Sequence, residues 1–341
     1  MPRLDSNPPL LTRRNILRML AVAGTGAVAW KVVRFGRGAP GVVRRSRVMM
    51  GTGVELTVLC DEREAAEAAA EATLERMAEL EALLTRYRPD SELSRLNATG
   101  AIASASDALL DVLRLAETVS NLGDGAFDVT VQPLLDVWRE RVDSLGASPG
   151  ADAVERAMTL VDHRALRIEG RRVTLGRSGM RVTLDGIGKG YIVDAGVATL
   201  KKRGFPNVFV DAGGDLVAAG DKGSGRPWRV GIRNPRPGLA MSARFDARNV
   251  AVATSGDYMQ SFTPDHAHHH IVDPRTGRSA PELASATVTA ADAATADALA
   301  TLAMNLGSQR ARELLEELPD CEGYLVSKGL AVTRTSGFEV V

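Results

Sequence analysis

The sequence predicts an α+β fold built on a mostly antiparallel sheet with packed helices. Three observations carry that expectation. Helix-period and strand-period segments mix without a steady β-α alternation, and short strands recur as hairpins. The 341 residues, 45% of them hydrophobic, suffice to bury one large core or two modest ones.

The elements follow in chain order. "RSRVMMGTGVELTVLC" alternates apolar and polar residues from Val54 to Val58 and reads as a strand. "EREAAEAAAEATLERMAELEALLTRY" is rich in helix formers, with Leu74, Met77, Leu80 and Leu84 at helical spacing. "DALLDVLRLAETVSNLG" gives a second helix, N-capped by Ser106 and ended by Gly123. "RALRIEGRRVTLG" is a hairpin turning at Glu169–Gly170, and "MRVTLDG" is expected to follow as a strand. "GKGYIVDAGVATLKKRG" is a long helix closed by Gly204. "NVFVDAGGDLVAAG" supplies two short strands around Gly213–Gly214, and "WRVGI" another. "ARNVAVATSGDY" and "HHIVDPRTGRSA" carry strand and turn signals. Helices return at "DAATADALATLAMNLG" and "SQRARELLEEL", and "EGYLVSKGLAVTRT" is a closing hairpin. The turn-rich stretch "DSLGASPGAD" reads as a loop rather than a domain linker.

Charge excludes one class of function. Lysines plus arginines and aspartates plus glutamates number 42 each, without the basic excess of a general nucleic-acid binder. Cys60 and Cys321 lack the spacing of a zinc site. Both sit among apolar, strand-like residues, as buried free thiols do, though one disulfide between them is also open.

Residues 1–40 read as a signal peptide and linker ahead of a folded domain at 41–341. Arg13 and Arg14 precede the apolar stretch "MLAVAGTGAVAW", a pattern resembling a twin-arginine export signal, which implies a periplasmic location. "AVA" at 27–29 offers a cleavage site; uncleaved, the segment is a membrane tether. A basic amphipathic helix in a cytoplasmic protein is the alternative.

Five stretches place glycine, acids and hydroxyls at element ends: "MMGTG", "TRYRPDSELSRLN", "GAFDVTVQPLLDVW", "TLDGIGKGYIVD" and the run from "SGDY" through "HHIVDPRTG" to "ADALATLAMNLG". The fourth is neither a P-loop, since Gly190 follows Lys189 where Ser or Thr should stand, nor a dinucleotide fingerprint, since its glycines fall at 186, 188 and 190. Singly, each stretch has a plainer reading as a turn, a core segment or a surface histidine tract. Together, from about Met49 to Gly307, they resemble the ApbE family of FAD:protein FMN transferases.

That resemblance implies an α+β fold of two intertwined subdomains and a magnesium-dependent reaction. FAD is split at its pyrophosphate, FMN is joined to a Thr or Ser of an acceptor protein, and AMP leaves. It implies FAD contacts at Met50, Tyr87, Ala126, Phe127, Asp128, Lys189 and Ile271, and magnesium ligands at Asp297, Thr301 and the Gly186 carbonyl. Asp297 and Thr301, four residues apart on an expected helix, face one direction. His270 stands at the family's histidine position and is the expected base for the acceptor hydroxyl, with Asp273 to orient it or to contact the nucleotide; contact of His270 with the flavin or a phosphate is the alternative.

One position departs from the family pattern D-L-x-x-I-x-K-G. Thr183 stands where the acid is usual, and Asp185 two residues on is expected to supply the carboxylate from the same strand face, or else to alter the FAD or metal contacts. The export signal and the "VTLDGIGKGY" variant are similar to the NosX-like branch, whose acceptor is the NosR-type regulator of nitrous oxide respiration; Rnf-type and Nqr-type subunits are other candidate acceptors. A pyrophosphatase that releases FMN and AMP, and a periplasmic flavin-binding protein, are the rival functions.

Overall fold

Eight strands form the central sheet, and their order in space is their order along the chain. They are β1 (Gly41–Met49), β2 (Thr52–Cys60), β3 (Val208–Ala212), β4 (Leu216–Ala219), β5 (Val250–Gly256), β6 (Leu283–Ala290), β7 (Glu322–Ser327) and β8 (Val332–Arg334). Each adjacent pair is antiparallel. The computed structural model describes residues 41–145, 148–238 and 241–341, so the segment 1–40, with its expected export signal, lies outside the described residues.

The helices are α1 (Arg63–Leu84), α2 (Glu92–Thr99), α3 (Asp107–Leu122), α4 (Gln132–Leu145), α5 (Ala151–Met158), α6 (Gly188–Lys202) and α7 (Ala293–Glu317). Helices α1 and α6 pack on each other, as do α6 and α7, over one face of the sheet. The alternation of strand side chains explains the division of the core. Val54, Leu56, Val58, Val208, Val210, Val217 and Ala253 point to the helices. Leu59, Leu216, Ala218, Val252, Tyr324 and Val326 point the other way, where the hairpin of Trp228–Ile232 and Ala243–Ala247 covers them. Strand β6 is buried at every position because both of its faces are covered. A three-stranded sheet of Ala101–Ile102, Leu166–Glu169 and Arg172–Leu175 shares the helix-side core. Cys60 and Cys321 are buried free thiols.

Three expectations need amendment. The first strand is a hairpin: β1 precedes β2, with Met50 (φ 52°) and Gly51 (φ 72°) turning between them. Strongly basic sequence hid β1, which lies at the edge of the sheet, where Arg45 and Arg47 pair with Glu67 and Glu71 of α1. Second, "MRVTLDG" is not a strand. Met180, Val182 and Leu184 do alternate into the core, but Val182 N–H donates to Asn97 Oδ1 at 2.7 Å and its carbonyl accepts from Asn97 Nδ2 at 2.8 Å. A side-chain amide there takes the place of one strand neighbour, and backbone pairing is limited to an isolated bridge of Arg181 with Val131 and the Thr183 N–H to Val129 carbonyl bond at 2.8 Å. Third, the two expected C-terminal helices run on as α7, joined at Gly307 (φ 78°, ψ 173°). A Cβ at that residue would lie 2.3 Å from Glu282 Oε2, so glycine is required twice over.

Candidate functional site

The site assembles where the first turns of α6 and α7 meet. Gly190 explains the approach: a Cβ there would stand 2.1 Å from the Ala293 carbonyl oxygen, so only glycine lets the two backbones touch. Asp194, one turn along α6, fixes the contact by accepting the Ala293 and Ala294 N–H groups at 2.8 and 2.9 Å. Asp292 caps the same helix through Thr295 N–H at 2.8 Å. Burial pushes the Asp194 carboxyl up to about 6, against the pull of those two N–H donors.

This contact brings together four of the residues expected at the site. Asp297 is buried, and its Oδ2 accepts from Gly190 N–H at 3.2 Å. Gly186 lies against Thr301, since a Cβ on Gly186 would fall 2.8 Å from Thr301 Oγ1. Ser255 of β5 holds that hydroxyl at 3.1 Å. Lys189 forms an ion pair with Asp215, a buried acid that no sequence motif marked. Burial pushes the Lys189 pKa down, but the charges of Asp215 and then Asp297 outweigh it, and the ammonium is held above its ordinary value. Asp297 is raised well above the carboxylate range, by burial first and by the Asp215 charge second, with Lys189 and Gly190 N–H pulling back.

Asp297 is therefore a buried acid whose charged form burial and the Asp215 charge disfavour. A carboxylate, a hydroxyl and a main-chain carbonyl form a hard oxygen donor set, the chemistry magnesium selects. The residues fit a divalent cation on both counts.

Asp185, next to Gly186 in the chain, is engaged by two arginines. Its Oδ2 accepts from Arg86 Nε at 3.0 Å and Nη2 at 2.9 Å, and Arg139 Nη2 stands 4.0 Å away. The Asp185 N–H folds back on Thr183 Oγ1 at 3.2 Å, so the arginines, and not a strand neighbour, hold the carboxylate expected to replace the acid at position 183. Tyr87, 67% exposed, carries the Arg86 guanidinium over its ring at 4.2 Å. Met50 is half-buried at the β1–β2 turn, where Glu81 of α1 accepts its N–H at 2.7 Å.

Ala126, Phe127 and Asp128 follow the end of α3, where Asp124 (φ 49°) and Gly125 (φ 76°) turn the chain. Asn305 of α7 donates to the Ala126 carbonyl at 2.8 Å, which ties this segment to the helix that bears Asp297 and Thr301. Phe127 is a core residue. The Asp128 carboxylate is engaged internally: Oδ1 accepts from Thr130 N–H and Oγ1 at 2.7 and 2.6 Å, and Oδ2 from His163 N–H at 2.7 Å.

His270 and Ile271 lie midway along the segment between β5 and β6, just before a short hairpin of Val272–Asp273 and Arg278–Ser279. Ile271 is buried and accepts from Ala280 N–H at 3.2 Å. His270 N–H donates to the Gln260 carbonyl at 3.0 Å, and its Nδ1 lies 3.2 Å from the same oxygen. Part of the ring reaches solvent, yet surrounding atoms desolvate it, and that burial, with the neighbouring His269 second, pushes its pKa down to about 4. The ordinary range near 6.5 expected from sequence does not survive burial. Nor does Asp273 orient His270, because its carboxylate is taken by Arg275 Nε and Nη2 at 3.0 and 2.8 Å. Asp185 and Arg139 both act electrostatically on His270, which places it beside the same group of charges.

Sequence reasoning missed Arg86, Arg139, Asp215, Asp194 and Asn305. "TRY" and "DVWRER" carried a charge signal without a partner to read it against, and an Asp within "AGGDL" looks like turn chemistry.

Comparison with known proteins gives one consistent result. The ApbE family profile matches residues 50–325. The FAD:protein FMN transferase of Vibrio cholerae is 34% identical over 242 residues, covering 68% of this chain and 72% of its own. That of Treponema pallidum is 31% identical over 319 residues, 86% of each. Among solved structures, the ApbE protein of Thermotoga maritima superimposes with a TM-score of 0.79 at 29% identity, covering 87% of this chain and 97% of its own. The flavin transferase ApbE of Vibrio cholerae gives 0.76 at 27%, covering 88% and 98%.

Proposed function

The chain belongs to the ApbE family and is a flavin-transferring enzyme, and from that premise we propose that it moves FMN from FAD to a Thr or Ser hydroxyl of an acceptor protein in the periplasm. The observation that carries the reading is the buried Asp297 carboxylate, joined by Thr301 and Gly186 and set against the cationic Lys189.

Asp297, Thr301 and the Gly186 carbonyl would hold magnesium. When bound, it supplies charge neutralisation and positioning for the pyrophosphate. Lys189, kept protonated by Asp215, adds a fixed positive charge on the same side. In the transfer the acceptor oxygen forms a bond to the FMN phosphorus, the bond from that phosphorus to the bridging oxygen breaks, and AMP leaves with that oxygen. The acceptor's proton needs a receiver. With Nδ1–H donated to the Gln260 carbonyl, His270 has Nε2 free to accept it, and its lowered pKa keeps the ring neutral at pH 7.

The test is an incubation of the protein with FAD, magnesium and a candidate acceptor, of NosR, Rnf or Nqr type, followed by intact mass. An acceptor gaining one FMN for each AMP released supports the reading. Free FMN with AMP and an unmodified acceptor would make the protein a pyrophosphatase, and bound, intact FAD would make it a carrier.

A further inference from the structure

Arg86 and Arg139 belong to no motif, yet both guanidiniums converge on one oxygen, Asp185 Oδ2. Two cations against one carboxylate leave the trio with a charge of +1. Exposure is graded among them: the side chains of Arg86 and Arg139 are 12% and 25% exposed, and that of Asp185 is 40% exposed. The carboxylate is thus the member most open to displacement. Arg86 is braced from behind by the Tyr87 ring, and its Nη2 also bonds the Tyr87 hydroxyl. Asp185 precedes Gly186 in the chain, so the cluster borders the oxygen donor set directly.

We propose that Arg86 and Arg139 form a phosphate-binding fork for the flavin nucleotide, and that Asp185 is an internal stand-in filling the fork when no nucleotide is bound. The proposal rests on the transferase reading and adds to it how the phosphate is recognised. The phosphate of FMN, a monoester, carries nearly two negative charges and three acceptor oxygens, and the pyrophosphate of FAD two charges over its two phosphates, where Asp185 offers one charge. Arginine's planar fork suits such a group, and partial burial of both guanidiniums strengthens the bond. The fork reads the phosphate and not the ring, so it separates phosphorylated flavins from riboflavin. Asp185 then sets the affinity by competition, because every bound phosphate must displace it.

Equilibrium titration of riboflavin and FMN by flavin fluorescence, in EDTA to remove divalent cations, tests this. The wild type binds FMN more tightly than riboflavin. Arg139→Gln and Arg86→Gln each lose on the order of tenfold in FMN affinity, the worth of one charge-assisted hydrogen bond, with riboflavin affinity unchanged. Asp185→Asn moves the opposite way and binds FMN more tightly than the wild type. The proposal is overturned by an FMN-to-riboflavin ratio that survives both arginine changes, or by an Asp185→Asn protein that binds FMN more weakly. Retained riboflavin binding certifies the fold of each variant. Should Arg86→Gln lose it, Arg139→Gln and Asp185→Asn decide. A wild type that transfers FMN but shows no fork-dependent ratio sinks the fork alone, and a fork-dependent ratio without transfer sinks the transferase reading alone.

Discussion

His270 shows how far surroundings move a side chain from its ordinary chemistry. Its folded pKa of about 4 lies below the value of about 6.5 expected in the unfolded chain. The stability gained by burying the neutral ring is complete above that unfolded value and is lost as pH falls through about 4. His269, fully buried, is pushed to about 4 as well, again by desolvation first, so both rings make the fold acid-sensitive in the same window. For catalysis, kcat/KM in FAD should be flat across pH 6–8 with respect to this group and should fall with a limb centred near pH 4. His270→Ala should lose transfer by roughly 10²–10⁴-fold with near-normal FAD binding and no such limb. Weakened FAD binding with the limb intact would reassign His270 to nucleotide contact. At Asp297, magnesium should raise the wild-type Tm, and Asp297→Ala should abolish both that shift and transfer while flavin still binds. Thr301→Ala should be milder, a neutral hydroxyl being the weaker ligand. An undiminished magnesium shift in Asp297→Ala removes it from the ligand set.

Among elements, the crossing of α6 and α7 decides the site. Asp297 meets Gly190 N–H only because Gly190 lets the Ala293 carbonyl come close. Gly190→Ala drives a Cβ into backbone that cannot swing aside, so a loss of about 1–3 kcal/mol or more is expected, the usual range for overpacking. Gly188→Ala serves as the control. Its Cβ would stand 3.3 Å from Leu184 Cβ, a tight contact relieved by a small local shift rather than a collision with backbone. Thermal melts should show Gly190→Ala far less stable than Gly188→Ala, and transfer should fall in the same order. Equal melting temperatures would mean the helices can part without cost, contrary to the packing described.

At the scale of the whole molecule, the chain-ordered antiparallel sheet is a platform with long excursions between its strands. Helices α1–α6 are inserted between β2 and β3, and the His270 loop lies between β5 and β6. Residues remote in sequence, such as Lys189 and Asp297, meet because α6 and α7, the latter inserted between β6 and β7, pack together on the same face. The proposed periplasmic role adds a requirement outside this body. Arg13→Lys combined with Arg14→Lys should leave the protein in the cytoplasm, measured by fractionation, since the arginine pair is what the twin-arginine route reads. Normal periplasmic levels of the double variant would remove that route.

The sequence by itself determined the α+β class, most helices and hairpins, and the placing of Asp297 and Thr301 four residues apart on one helix. Each of these depends on local periodicity or on spacing within one helix. The same locality let Ser106, Gly123 and Gly204 be read as helix ends. Tertiary structure alone decided what partners those residues meet. "MRVTLDG" has strand periodicity, but Asn97, distant in sequence, took its ladder bonds. Asp185 looked like a displaced family acid until Arg86 and Arg139 were seen to claim it. The pKa of His270 and the charge of Lys189 likewise answer to burial and to carboxylates brought in by other elements. Electrostatics and desolvation act through space over a few ångströms, and a linear sequence does not carry those distances.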